Sequence, residues 1–451
     1  MPIFARFICT KNKKMTKIKS LVWSVLVVVS AASASSAVAQ DSNPSNLTSS
    51  PYTRYGFGKL GSVGNASTRA MGDVGIALRT NMYTNLYNPA SLTAIDTLTM
   101  LFDTALDAEW FTMSENGVRE NDWNAGFSYL SFHFPLWNRF AGAIAYNPYS
   151  MVGYEYGNEV SMPIENALVN NDTLDYSNSY SGSGGLQHFQ LSLAWNPVKT
   201  RTMQLNLGAT AGYICGAVDH GSSIYVSSGQ SNSTYSTRSY SCIGWDLLFG
   251  AQYTQQIVPG QHVTLGATFA PRTHIGCETQ VVKYCGTTDS IGESITNSAS
   301  LSAPMKFGAG LSYQIDRKLT ATAEYSFENW AKVAGLDANM KRAEGLYQDI
   351  HRVAAGFEYR PKLYAQSYFQ TCIYRVGASV KNTYVKTFGN QSEFTASCGI
   401  GMPCGRRSMF NFSAAYTHSQ SVKNGALKEN FLHLTLGITF NEMMFYRSRL
   451  Q

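Results

Sequence analysis

The chain has 451 residues, enough for two or three ordinary domains, yet charged side chains are only 14% of it, against roughly 25% in soluble domains. Its formal net charge is +6, but six of the 35 basic residues (Arg6, Lys11, Lys13, Lys14, Lys17 and Lys19) fall in the first 39 positions, which hold no acidic residue. Past that point 29 basic side chains face 29 acidic ones, so the charge balance gives no case for nucleic acid as a partner.

Residues 1–39 read as a secretory signal peptide: a basic start, an apolar run at 21–29 and a small-residue tail ending Ala37-Val38-Ala39. The apolar core is about half of the roughly 20 residues a spanning helix needs. A Ser-, Asn- and Pro-rich stretch, 40–53, follows as a flexible leader. Residues 54–96 are punctuated by Gly56, Gly58, Gly61, Gly64, Gly72 and Gly75 but also carry Phe57, Met71, Val74, Ile76, Leu78, Tyr83 and Leu86. A disordered linker is poor in bulky apolar residues, so this segment reads as a packed hatch.

From 97 to 442 hydrophobicity alternates with a period of two, the mark of strands. At the end of the run Leu432, Leu434, Leu436, Ile438 and Phe440 interleave with His433, Thr435, Gly437 and Thr439. Fourteen strands are expected, at about 97–107, 122–136, 139–150, 186–197, 203–219, 240–257, 262–276, 304–315, 318–331, 350–361, 370–385, 392–403, 408–420 and 430–441. Short turns alternate with long polar loops at 151–185, 220–239, 277–303 and 332–349. An even strand number, short turns on one side and long loops on the other fit an all-β fold, a 14-stranded antiparallel transmembrane β-barrel with the hatch inside its lumen. Such a chain sits in the bacterial outer membrane, in contact with lipid bilayer and lipopolysaccharide. Aromatic residues near strand ends, Trp137, Tyr146, Tyr149, Tyr253, Tyr325, Trp330, Tyr359, Tyr374 and Tyr446, fit interfacial girdles. Residues 443–451 form a short periplasmic tail.

Seven cysteines follow the signal segment: Cys215, Cys242, Cys277, Cys285, Cys372, Cys398 and Cys404. In an oxidising compartment Cys277 with Cys285, and Cys398 with Cys404, are candidates for local bridges. No CxxC or Cys/His clustering points to a metal, and no cofactor motif is present. No G-x-S-x-G elbow lies near any of the eight histidines; Ser183, in Gly182-Ser183-Gly184-Gly185, reads as a loop. The carboxylates Asp316, Glu324, Glu328 and Glu358 read as solvated lumen residues, so no catalytic residue is assigned and a non-enzyme is expected.

The motif Asn88-Pro89-Ala90-Ser91 before the first strand, with Pro304-Met305-Lys306-Phe307-Gly308, Glu324-Tyr325, Trp330 and Tyr374-Arg375-Val376-Gly377 later, resembles the FadL/OmpP1/TodX-like outer-membrane transporters of hydrophobic compounds, in a Bacteroidetes-type form. The resemblance implies a monomeric barrel closed by a hatch, with Asn88 to Ser91 in the gating segment. It also implies passive passage of a small hydrophobic or amphipathic molecule, of fatty-acid or aromatic type, through a gap at a kink in the third strand. Here that strand holds Gly142, Asn147 and Pro148, and a proline cannot donate to the ladder; the alternative is that Asn147-Pro148 simply ends the strand. No motif assigns substrate-binding side chains. Two other functions fit the same barrel: a binding or scaffold subunit of an outer-membrane secretion or assembly complex, with protein partners there, and a general porin.

Overall fold

The structure, a computed structural model, describes residues 50–443 except 116, 164–172, 227–233, 286–294, 337–341, 363–366, 387–390, 405–407 and 422–427. The expected signal peptide, most of the leader and the tail beyond 443 lie outside the described residues.

Fourteen strands form the wall. They are β1 (Thr99–Glu115), β2 (Val118–Trp137), β3 (Phe140–Pro163), β4 (Thr173–Lys199), β5 (Met203–Val226) and β6 (Thr234–Val258). Next come β7, interrupted at Pro271 into Gln261–Ala270 and Thr273–Cys285, and β8, interrupted at Pro304 into Ile295–Ala303 and Met305–Ile315. The circuit ends with β9 (Leu319–Asn329), β10 (Ile350–Tyr359), β11 (Ile373–Asn382), β12 (Gln391–Cys404), β13 (Ser408–Ser421) and β14 (Lys428–Met443). Each pairs antiparallel with the next, and β14 pairs with β1 along its whole length, which closes the ring. Lipid offers backbone groups no partner, so closure is what lets a sheet cross it. The alternating pattern sets the faces: Leu432, Leu434, Leu436 and Phe440 lie exposed on the outer surface while Thr435 and Thr439 are buried inside.

The wall is far from even in height. Strands β9, β10 and β11 have 11, 10 and 10 residues, the length needed to cross a bilayer, whereas β3 to β6 have 24, 27, 24 and 25. The expected loops 151–185, 220–239 and 277–303 are therefore mostly strand. Beyond the membrane both faces of a sheet meet water, so Ser, Asn, Gly and Tyr occupy both and the alternation that marks a strand disappears.

Two expected bridges are corrected. Cys277 is bonded to Cys242, its direct cross-strand partner on β6, with Cα atoms 4.1 Å apart. Cys285 lies eight residues further along the same strand as Cys277, on the order of 26 Å away at about 3.3 Å per residue, too far to bridge it. Cys398 and Cys404 share β12 instead of flanking a turn, and both are free and exposed. Of the expected girdle residues, Trp137, Tyr253, Tyr325, Tyr359 and Tyr374 face outwards, but Tyr149 and Trp330 are buried inside the barrel. Tyr446 lies outside the described residues.

Residues 50–96 pack against the inner face of the wall. They comprise a 3-10 turn (Pro51–Arg54), a two-residue strand (Lys59–Leu60), one helical turn (Ala66–Arg69) and a second 3-10 turn (Pro89–Ala94). Phe57, Met71, Val74, Ile76, Leu78, Tyr83 and Leu86 are all buried. Inward glycines of the wall make this close fit possible: a Cβ at Gly399 would stand 2.6 Å from the Cβ of Ala70, and one at Gly437 2.7 Å from that of Ala66. Gly250, Gly266, Gly356 and Gly377 face the segment's backbone or side chains in the same way.

Proteolysis without reduction, followed by mass spectrometry, should recover the peptides of Cys242 and Cys277 as one linked species. Maleimide should label Cys398 and Cys404 in the unfolded, unreduced chain. Recovery of a Cys398–Cys404 bridge would contradict this arrangement of β12.

Candidate functional site

The hatch forms a floor across the barrel, held by buried charge as much as by apolar packing. Glu324 on β9 accepts hydrogen bonds from the backbone N–H groups of Gly75 and Ile76, both at 2.9 Å, and from Arg352 Nη1 at 3.0 Å. Arg352 Nη2 in turn donates to the carbonyls of Gly72 and Asp73, each at 2.7 Å. The Arg69 guanidinium pairs with Asp107 of β1. Arg375, fully buried, donates to Glu358 at 2.7 Å and lies over the ring of Tyr83. Sequence reasoning treated Glu324 and Glu358 as solvated lumen carboxylates; the structure places both in ion pairs beneath or beside the hatch. A charge at an inward position of an alternating strand was the available signal.

Asn88 closes the far side of the floor. Its Oδ1 accepts from the Ala90 N–H at 3.1 Å and caps the turn begun by Pro89, while its Nδ2 donates to Ile76 O at 2.8 Å and to Ala251 O of β6 at 3.2 Å. Ser91 Oγ donates to Asn85 O at 3.2 Å, and Ala90 is completely buried. The motif thus ties the hatch to itself and to the wall.

A roof lies at the long-loop end. Phe57 of the hatch packs among Trp330, Tyr347 and Tyr384. Tyr384 OH donates to Gly58 O at 2.6 Å and accepts from Phe57 N–H at 3.0 Å, and Tyr240 OH donates to Gly56 O at 3.1 Å. Gly56 and Gly58 both have positive φ, 67° and 79°, the left-handed region that glycine tolerates.

Between floor and roof lies a cavity of about 510 Å³. It is on the hatch's long-loop side and is amphipathic. Its walls carry Lys59 with Glu109, Lys306 with Glu328, Lys381 with Glu393 and His188 with Asp246, interspersed with Phe127, Tyr149, Phe307, Phe327 and Phe431. Charges at alternate inward positions are affordable here only because each has a partner within the lumen.

The cavity reaches a seam in the wall. Strands β2 and β3 pair from Trp137↔Phe140 to Leu130↔Tyr146 and no further, whereas β2 stays paired with β1 to Val118 and β3 with β4 to Pro163. The ladder ends one residue before Asn147-Pro148, and the register on β3 shifts between Pro148 and Ser150. Pro148 has no N–H to give, and Asn147 turns inwards to accept from Gln190 Nε2 at 2.6 Å. Gly142 lies lower, in the paired part of the strand opposite Phe134. In place of β2, the hatch strand pairs with the freed edge: Lys59 opposite Met151, Leu60 opposite Ser150, and Gly61 N–H donating to Tyr149 O at 2.9 Å. Phe127 and Asp107 line both the cavity and a depression in the outer wall framed by Leu106, Ala108, Leu434 and Leu436.

Ser183 lies within β4, opposite Gly153, so its neighbourhood is strand and not loop. Among the described residues no group of three or more His, Cys, Asp and Glu is placed to hold a metal ion.

These features define a class: a closed 14-stranded antiparallel β-barrel whose lumen is filled by the segment that precedes its first strand. The chain belongs to the BamG family, whose model matches residues 17–451. No curated protein matches it in sequence. Among solved structures it is similar to the Ralstonia pickettii toluene transporter TbuX (14% identity, 84% of this chain and 98% of that one, TM-score 0.54). A Pseudomonas aeruginosa FadL homologue (13%, 86% and 99%, 0.53) and the P. putida toluene transporter TodX (12%, 86% and 100%, 0.52) are similar too. At these identities the likeness is one of fold.

Removing Arg352 leaves Glu324 buried without its cation, a loss of about 3–5 kcal/mol. Arg352→Met should therefore loosen residues 72–76 and speed proteolysis of the hatch in the folded barrel. Gly377→Val should do the same by steric displacement of Met71. Unchanged protection in both variants would show that the floor does not depend on these contacts.

Proposed function

We propose that the protein resides in the bacterial outer membrane and passes small amphipathic or hydrophobic molecules from its luminal cavity sideways into the bilayer at the β2–β3 seam. The observation that carries this reading is that Phe127 lines both the cavity and the outer depression, three residues from Leu130, where the β2–β3 ladder ends. Passage straight through to the periplasm would require the floor to move, against several buried ion pairs. Passage to the side requires release of a two-residue ladder. The similar structures are of transporters and channels for hydrophobic compounds, which supports the same direction, and a porin with a permanently open pore fits the filled lumen poorly. The fatty-acid or aromatic identity of the cargo has no residue to rest on; the lining asks for a molecule with a polar end and an apolar end.

A second reading is favoured by the unequal wall. Strands β3 to β6 exceed a membrane crossing by about 15 residues, on the order of 40 Å once tilt is allowed for. Ile224, Tyr225 and Tyr235 stand exposed on that projection. Such a surface suits a binding or scaffold subunit of an outer-membrane assembly complex, and a whole-chain match to a family other than the transporters is compatible with it.

Cysteines introduced together at Leu60 and Ser150 and oxidised should lock the hatch strand to β3 and slow entry of N-phenylnaphthylamine into cells, with reductant restoring it. A large steady conductance in planar bilayers, or dye entry indifferent to the lock, would overturn lateral passage. Stoichiometric protein partners after gentle detergent extraction, lost in a Tyr225→Arg, Tyr235→Arg variant whose dye entry is unchanged, would favour the scaffold.

A further inference from the structure

At the seam the hatch presents one charged side chain to the opposite wall. Lys59 reaches from the strand that pairs with β3 to Glu109 on β1, with Nζ 2.6 Å from Oε2. The ammonium also lies 4.2 Å from the centroid of the Phe431 ring. His433 Nδ1 stands 3.1 Å from the same Glu109 oxygen, and Glu429, one turn of the ladder higher on β14, accepts from Ser50 Oγ. All of these residues border the cavity. Glu109 and Glu429 are 7% and 3% exposed, and Glu109 Oε1 has no hydrogen-bond partner among the described residues.

A carboxylate with a spare oxygen, a second buried carboxylate and an aromatic face form the usual chemistry for an ammonium group, and this niche already contains one. We infer that the Glu109–Phe431 niche is an ammonium-recognition subsite of the luminal cavity, filled at rest by the hatch's own Lys59, and that an amphiphile with a cationic amine head displaces that lysine. The inference rests on the cavity reading of the proposed function and assigns its substrate class. A carboxylate head cannot take the place of Lys59, because beside Glu109 and Glu429 it would be repelled. A quaternary ammonium keeps the ring contact without any hydrogen bond; a primary ammonium takes the Lys59 bond as well. Because Lys59 belongs to the two-residue strand that covers the β3 edge, its displacement removes that strand's side-chain anchor to β1 and leaves only the short main-chain ladder, so the correct head group loosens the seam through which the tail departs.

The test uses the full-length protein in lipid nanodiscs and four six-carbon probes: hexylammonium, hexyltrimethylammonium, hexanoate and hexanol, each followed by calorimetry and by hydrogen exchange at 59–61. The cationic probes should bind about ten-fold more tightly than hexanoate, a difference of about 1.4 kcal/mol, and only they should speed exchange at Lys59 to Gly61. Lys59→Met vacates the niche and should raise affinity for hexyltrimethylammonium; Glu109→Gln should abolish the preference for cations. Equal binding of hexanoate, or an affinity in Lys59→Met no higher than wild type, overturns the ammonium subsite. Binding of hexanol alone leaves the cavity reading standing and sinks this inference. Failure of all four probes sinks both.

Discussion

Backbone pairing in lipid is the constraint on which the rest of this barrel depends. A peptide group in hydrocarbon finds no water, so each strand of the wall needs two neighbours. The β2–β3 junction is held over seven residue pairs only, although β2 runs on paired to β1 and β3 runs on paired to β4. An open edge of this sort is a liability in any sheet. Here it is partly covered from within by Lys59 and Leu60, so the segment that fills the lumen also completes the wall. Hatch and wall are one hydrogen-bonded object, and a change in the first is felt at the second.

The charged interior follows from the same geometry. A lumen of this width must be filled, and the wall's inward positions are small or polar because the outward ones are reserved for lipid. Glycine lets the hatch come close, and fixed charges then hold it: Glu324 bonds two hatch amides while Arg352 bonds two hatch carbonyls. Such pairs are poor sources of net stability against an apolar alternative, but they are costly to break singly. They fix one position of the floor and penalise every other.

Strand number, alternation and a packed segment before β1 were all legible in the sequence, because the lipid-facing residues have to be apolar at every second position of each crossing. What was not legible lay where that demand stops. Above the membrane, Gly182 to Gly185 and the Ser-rich stretches at 177–183, 221–223 and 234–236 carry no apolar face, and they read as loops although they are strand. Inside, Arg352 and Glu324 lie 28 positions apart, and nothing local tells that their pairing runs through Gly72 and Gly75. The Cys242–Cys277 bridge was missed for a similar reason: its partners are neighbours only across the β6–β7 ladder, whereas Cys285 is nearer in sequence. Pro148, by contrast, was visible because a missing N–H has the same consequence wherever it occurs in a sheet.

The balance between floor and seam decides which way the molecule can open. Breaking the floor means separating Arg352 from Glu324 and Arg69 from Asp107, each leaving a buried charge unpaired at about 3–5 kcal/mol, and freeing the Asn88 amide from its carbonyls at about 1–3 kcal/mol more. Releasing the hatch strand from β3 gives up a two-residue ladder, whose hydrogen bonds are worth about 0.5–1.5 kcal/mol each net of solvation, together with the Lys59–Glu109 pair. That pair is the largest single cost on the route, and it is also the one a cationic ligand can replace in kind. On the lateral route proposed above, opening sideways would be the cheaper movement and one that the contents of the cavity could drive, with the floor left where Glu324 and Arg352 hold it.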